Sequence, residues 1–293
     1  MSWVHTHSCE LTHSPARVFR ALTDRTELTS WFAQHAAPGT APGESFRFWG
    51  RHTLGVPTAE EATQRLTRFE ADSVVAFTWR LYQTATEVTL TLAPAADGAG
   101  TKLTLRHEIQ DELGVPRSRE LIDDLWRFSL GNLSCHLAGG AGIVLPDYAD
   151  PAPEVRMVIT IEAPPEAVFR ALIEPESINR WFGTTSAVVE PRLGGRYDLK
   201  WQYKVDGNEV HGGPTTILEF VPNRKLTLDW PDWRGDTSVT GQTITWLLEP
   251  TGRGTRVTLV HAGFSRTTDI SDYPFGWVYF LDELTKAVTG GIT

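Results

Sequence analysis

Val18-Phe19-Arg20-Ala21-Leu22 recurs unchanged as Val168-Phe169-Arg170-Ala171-Leu172, 150 positions further along a chain of 293 residues. The correspondence widens around this block at the same offset: Pro15 answers to Pro165, and Trp31-Phe32 to Trp181-Phe182. Thr101-Lys102-Leu103-Thr104-Leu105-Arg106-His107 matches Thr255-Arg256-Val257-Thr258-Leu259-Val260-His261 at an offset of 154. Trp126, Leu130, Leu133 and Gly139-Gly140 match Trp277, Leu281, Leu284 and Gly290-Gly291 at 151. Blocks kept in order at nearly constant spacing mark an internal duplication. The drifting offset puts insertions in the middle of each unit, where loops absorb them. The length suits two domains of ordinary size, read as residues 1–145 and 153–293. Between them, Pro146-Asp147-Tyr148-Ala149-Asp150-Pro151-Ala152-Pro153 is a Pro-rich, semi-rigid linker.

Each copy has the same coarse plan. Val155-Arg156-Met157-Val158-Ile159-Thr160-Ile161-Glu162 alternates apolar and polar, the pattern of a half-buried strand. Pro164-Pro165-Glu166 opens a short helix, and a second short helix carries Trp181-Phe182. Gly194-Gly195, Asp206-Gly207 and Gly252-Arg253-Gly254 are turns between the antiparallel strands that follow. A long helix closes each unit, from about 117 to 137 in the first and 273 to 288 in the second. Gly139-Gly140-Ala141-Gly142 reads as the first helix's C-cap. The fold expected is α+β: two tandem helix-grip domains, each a curved antiparallel sheet around a long C-terminal helix. A concave space between helix and sheet suits an apolar ligand.

Composition narrows the function. Hydrophobic residues make up 41 % and charged residues 22 %, a globular balance. The net charge of −9 is spread over both halves, and no basic stripe stands out, so neither nucleic acid nor an anionic membrane surface is an expected partner. No apolar run approaches bilayer length. The start of the chain lacks a basic stretch followed by an apolar one, so a cytoplasmic setting is expected, with Cys9 and Cys135 reduced. Nucleophile elbows, phosphate loops, dinucleotide fingerprints and Cys-x-x-Cys pairs are missing from the sequence. No catalytic residue and no cofactor is therefore assigned.

The second copy resembles the activator-of-Hsp90-ATPase-like (AHSA1-like) branch of the START/SRPBCC superfamily. The matching pieces are Pro165 to Leu172, Trp181-Phe182, Leu193-Gly194-Gly195-Arg196-Tyr197 and Phe220-Val221-Pro222-Asn223-Arg224-Lys225-Leu226, with Gly254 to Phe264 and Gly276-Trp277 completing the set. The first copy departs from the pattern. Pro42-Gly43-Glu44-Ser45-Phe46 stands where the Gly-Gly motif belongs, and Glu108-Ile109 follows His107 in place of Ala262-Gly263. The two copies then differ in task, or one has become structural. The resemblance implies the helix-grip fold; the superfamily includes small-molecule binders, aromatase/cyclases, resistance proteins and co-chaperones, so activity has to come from the site.

Strand alternation puts Trp3, His5, His7, Cys9 and Leu11 on one face, where the second copy has the core face Val155, Met157, Ile159 and Ile161. In a helix-grip fold, as the resemblance implies, the first and last strands are antiparallel neighbours, which brings His107 close to His5 or His7. Three readings stay open for these histidines: hydrogen-bonded core groups, contacts to a ligand, or a zinc site built on His-x-His plus a third His. No acidic residue completes a familiar metal set, and no metal is assigned. Glu120, Asp123 and Asp124 lie at helical spacing and read as a solvated face. His261 occupies the place of His107 in the second copy, where it either fixes the turn into the last helix or faces the cavity.

Trp79, Tyr82, Trp201, Tyr203, Trp230, Trp233 and Trp246 fall in strand regions or the loops beside them and suit either core or the walls of a ligand cavity. Trp230-Pro231-Asp232-Trp233 reads as a turn at a strand end, either packed or a gate or protein-contact patch. The candidate ligand contacts are therefore His5, His7, His107, Trp79, Trp126, His261, Trp230 and Trp277. The function expected is non-enzymatic binding of a small hydrophobic or aromatic molecule, for sequestration, transport or resistance. An Hsp90-type chaperone is the partner in the alternative reading, and an aromatase/cyclase-like enzyme is the third.

Overall fold

In the computed structural model, residues 2–96, 98–205 and 207–290 are described. Alternation at the N-terminus produces β1 (Trp3–Leu11), with Trp3 and Leu11 buried and His5, His7 and Cys9 half-buried. Pro15 opens α1 (Pro15–Thr23), where its missing N–H costs no helical hydrogen bond, and the Ser14 hydroxyl caps the first turn. The Asp24 carboxylate caps α2 (Arg25–Trp31) in the same manner. Then come the pair β2 (His35–Pro38) and β3 (Phe46–Trp49), the run β4 (Leu66–Glu70), β5 (Val74–Leu81), β6 (Thr84–Pro94) and β7 (Thr101–Ile109), and the long α3 (Ser118–Leu137). The main sheet is antiparallel with order β1-β7-β6-β5-β4, so first and last strands are neighbours and His5 stands opposite His107.

The second repeat follows the same order: β8 (Val155–Ile161), α4 (Pro165–Ile173), α5 (Pro175–Trp181), then short β9 (Val188–Val189) and β10 (Tyr197–Asp198). An added hairpin, β11 (Trp201–Val205) with β12 (Asn208–Gly212), precedes β13 (Ile217–Val221), β14 (Lys225–Asp229), β15 (Thr243–Thr251) and β16 (Gly254–Ala262). The sheet order is β13-β14-β15-β16-β8, and α6 (Tyr273–Thr289) closes the repeat. Of the turns read in the sequence, Asp206 lies outside the described residues, as does Gly291 of the repeated Gly-Gly pair. By contact, one unit runs to Pro151 and takes in Arg266–Asp272; the other comprises Ala152–Ser265 and resumes at Tyr273.

The repeated blocks are repeated because each makes the same bond twice. Trp31 Nε1–H donates to the Ala21 carbonyl at 3.0 Å, and Trp181 Nε1–H to the Ala171 carbonyl at 2.9 Å. Thr101 and Thr255 donate their hydroxyls to the His13 and Ala163 carbonyls, tying the start of the last strand to the end of the first. Gly100 and Gly254 precede those threonines for a steric reason: a Cβ would lie 2.3 Å from the Leu11 carbonyl oxygen in one and 2.2 Å from that of Ile161 in the other. Phe19 packs edge-on against Phe69, and Phe169 against Phe220.

One reading needs correction. The acidic run on α3 is not a solvated face: Asp124 is buried and Asp123 half-buried. The cause is tertiary, since the segment Arg266–Asp272 covers the start of α3, with the Arg266 guanidinium donating to the Pro116 and Arg117 carbonyls. The segment read as a Pro-rich, semi-rigid linker is held to the first unit as far as Tyr148. The Pro146 carbonyl lies 2.6 Å from His52 Nδ1, the Asp147 carbonyl accepts from the Thr267 hydroxyl, and Tyr148 packs against the core.

Candidate functional site

His107 and His261 are wholly buried at equivalent places on the last strands. Each accepts a hydrogen bond at Nδ1 from a helix tryptophan, His107 from Trp126 at 3.0 Å and His261 from Trp277 at 3.2 Å. Indole is only a donor, so both rings carry their proton on Nε2. Gln242 Oε1 lies 3.3 Å from His261 Nε2, in position to accept that proton's hydrogen bond. Burial pushes both histidines down to about 3, so both are neutral at neutral pH. A neutral ring held this way ties the last strand to the long helix and is poorly placed to relay protons.

A third aromatic completes each group. Trp79 lies parallel to His107 with centroids 6.1 Å apart, while Trp230 meets His261 edge-on at 5.7 Å. Thus the structure brings Trp79, His107 and Trp126 together in one repeat, and Trp230, His261 and Trp277 together in the other. In the first repeat the group is packed: Phe32 and Phe48 stand against Trp79, and Phe46 and Phe77 against Phe48.

In the second repeat the same group borders a cavity of about 160 Å³. β11 supplies Trp201 and Tyr203, the turn after β14 supplies Trp230, Pro231 and Trp233, and α6 supplies Tyr273, Gly276, Trp277 and Phe280. The polar tips of the walls bond to protein, Tyr203 Oη–H to the Trp233 carbonyl at 2.9 Å and Trp230 Nε1–H to Tyr273 Oη at 3.2 Å. What faces the cavity is therefore chiefly ring surface. Backbone differences open it. β5 turns directly into β6 through Tyr82 and Gln83, both at positive φ, whereas twelve residues separate Trp230 from Thr243. On the helix, the buried Leu125 of the first repeat is matched by Gly276, where a Cβ would meet no atom within 4 Å. A polar groove of about 740 Å³, lined in part by Glu209, Asp229, Arg234 and Gln242, shares Trp230 and Pro231 with the cavity. The sequence reading counts Trp201, Tyr203 and Trp233 among the core-or-wall aromatics but selects only Trp230 and Trp277 of this group as contacts, and it does not include Tyr273 or Phe280. Their aromatic density was visible, but their convergence depends on the added hairpin.

His5 and His7 adjoin the buried group on the side of β1 that meets α3, with His5 opposite His107 on the neighbouring strand. His5, His7 and Asp123 each bring one ligating atom to within 4.8 Å of the others. Asp123 supplies the acidic residue that no sequence pattern joined to the histidines, because only packing of α3 on β1 brings it there. Its Oδ2 accepts from Arg127 Nε at 2.9 Å, and its Oδ1 lies 3.9 Å from His5 Nε2. Arg127 also reaches Asp272 at 3.3 Å. Burial, then Arg127, lowers the pKa of His7, and burial raises that of Cys9.

The chain is similar to several known proteins. Among solved structures, DynU16, a protein of the dynemicin biosynthetic locus, is 18 % identical over 97 % of this chain and 98 % of its own, with a TM-score of 0.41. The Aha1 dimer from Colwellia psychrerythraea is 22 % identical over 46 % of this chain and 96 % of its own, at 0.38. An AHSA1-like protein from Rhizobium etli is 30 % identical over 47 % and 83 %, at 0.37. No curated protein matches the chain. The family described as activator of Hsp90 ATPase homolog 1-like protein matches both repeats, over residues 12–137 and 162–289. The chain belongs to that family, as a tandem of two of its domains.

Proposed function

We propose that the second repeat binds a small aromatic molecule, its ring seated among Trp201, Trp230, Trp277 and Phe280 and its polar end in the adjoining groove. The observation that carries this reading is the ring-walled cavity of about 160 Å³. That volume suits one ring-sized group, since apolar cavities of roughly 150 Å³ accept benzene. Flat walls favour an aromatic guest through edge-to-face and offset contacts. With His261 neutral and bonded on both sides, binding without turnover is the simpler chemistry.

A thermal-shift and native mass spectrometry screen of the full chain with indoles, naphthols and larger aromatic metabolites tests the reading. Binding to the native state alone stabilises it by about 2.7 kcal/mol at a hundredfold excess over Kd. Gly276→Leu, which gives the helix wall the residue of the first repeat, should abolish the shift while leaving the chain folded. Ligands that shift wild type and Gly276→Leu equally would place binding elsewhere, and a chain indifferent to every ligand would remove the proposal.

A protein-contact role, with an Hsp90-type chaperone as partner, rests on another observation. Val158, Val278 and Tyr279 leave 48 %, 49 % and 60 % of their surfaces exposed on β8 and α6. Loss of chaperone capture on Val278→Asp, with the ligand response intact, would favour this role.

A further inference from the structure

We propose that the first repeat holds a divalent transition-metal ion of the zinc type between His5, His7 and Asp123. The site is independent of the aromatic cavity, since its ligands lie in the other repeat. Two histidines two residues apart on a strand present their rings to the same side. The carboxylate comes from the helix packed on that side, and all three ligating atoms already lie within 4.8 Å of one another. Tetrahedral zinc with bonds of about 2.1 Å holds its ligand atoms about 3.4 Å apart. His5 and Asp123 stand at 3.9 Å, so small side-chain rotations close the set. Three protein ligands leave a fourth position for water.

The surroundings suit an ion better than they first suggest. Arg127 is the cation nearby, but it grips Asp123 through Oδ2 and its own charge is shared with Asp272. Oδ1, the oxygen turned toward His5, is the ligating atom, and Arg127 fixes its orientation as outer-shell partners do. The repeat supplies an internal control. At the positions of His5, His7 and Asp123 the second copy has Val155, Met157 and Pro274. The same strand, helix and packing form there from apolar residues, so building the fold does not require this polar trio.

The test uses the full chain, freed of metal with a chelator and titrated with Co²⁺ and Zn²⁺. We expect one ion per chain, with visible Co²⁺ absorption of a low-coordinate site that Zn²⁺ displaces. His7→Met, borrowed from the second repeat, and Asp123→Asn should each weaken uptake at least about tenfold. His35→Ala, at an exposed histidine on β2, should leave it unchanged. Ring ¹⁵N shifts of His5 and His7 in the wild-type chain on adding Zn²⁺ give a readout that survives misfolding of any variant. Uptake below one equivalent, uptake indifferent to His7→Met and Asp123→Asn, or histidine shifts that fall elsewhere would overturn the proposal.

Discussion

Trp79, His107 and Trp126 are the same three residues of the repeated unit as Trp230, His261 and Trp277, yet their surroundings diverge. The first three sit among Phe32, Phe46, Phe48 and Phe77, while the second three border an aromatic cavity. On β1 the contrast reverses: His5 and His7 line the first repeat where Val155 and Met157 line the second. One frame has been kept, and its interior has been edited in opposite senses. The kept parts are those whose hydrogen bonds tie helix to helix, first strand to last strand, and last strand to long helix. The edited parts face space that the frame does not need to fill in one way.

The largest effect expected from this contrast is in the tryptophans. Trp126→Ala removes a side chain packed on all sides and should cost about 3–5 kcal/mol, read by hydrogen exchange of the first repeat. Trp277→Ala should cost less, since its ring already borders empty space, but should eliminate aromatic ligand binding. Equal losses in the two repeats would contradict the filled-versus-open distinction.

Acid should affect both repeats alike. His107 and His261 titrate near 3 in the folded chain against about 6.5 unfolded, so between those values the unfolded chain binds more protons. Stability is full above about pH 6.5 and declines as the pH falls toward 3. Urea unfolding at pH 5 should show a loss of about 1–2 kcal/mol per buried histidine relative to pH 7. His107→Gln and His261→Gln should each flatten that dependence, and a flat wild-type profile would mean the rings are not buried as neutral groups.

The smallest change sharpens the contrast most directly. Gly276→Ala removes the entropic cost of a helical glycine and should stabilise the second repeat by about 0.5–1 kcal/mol. The same methyl group at the cavity wall should weaken the aromatic ligand. A gain in stability with unchanged affinity would show that Gly276 is not part of the binding wall.

Much of the frame was legible in the sequence. The α3 and α6 boundaries and the strand β1 follow from periodicity and offsets, and the pairing of first and last strands, which brings His107 to His5 or His7, follows from the family resemblance. The burial of Asp124 was not legible, because helical spacing places a residue on a face without saying what covers it. Nor was the approach of Asp123 to His5 and His7, or the gathering of Trp201, Tyr203 and Phe280 with Trp230. Each depends on residues more than twenty-five positions apart meeting through packing.

By itself, the sequence determined that this chain is one unit used twice, since repeated bonds need repeated donors, acceptors and glycines in the same order. Tertiary structure alone decided which copy is filled and which is open. Identical trios have different neighbours because a longer loop after Trp230 and a glycine in place of Leu125 withdraw atoms from one interior, while an added hairpin walls the space that is left. Close packing is a property of all the neighbours together, and no local pattern reports it.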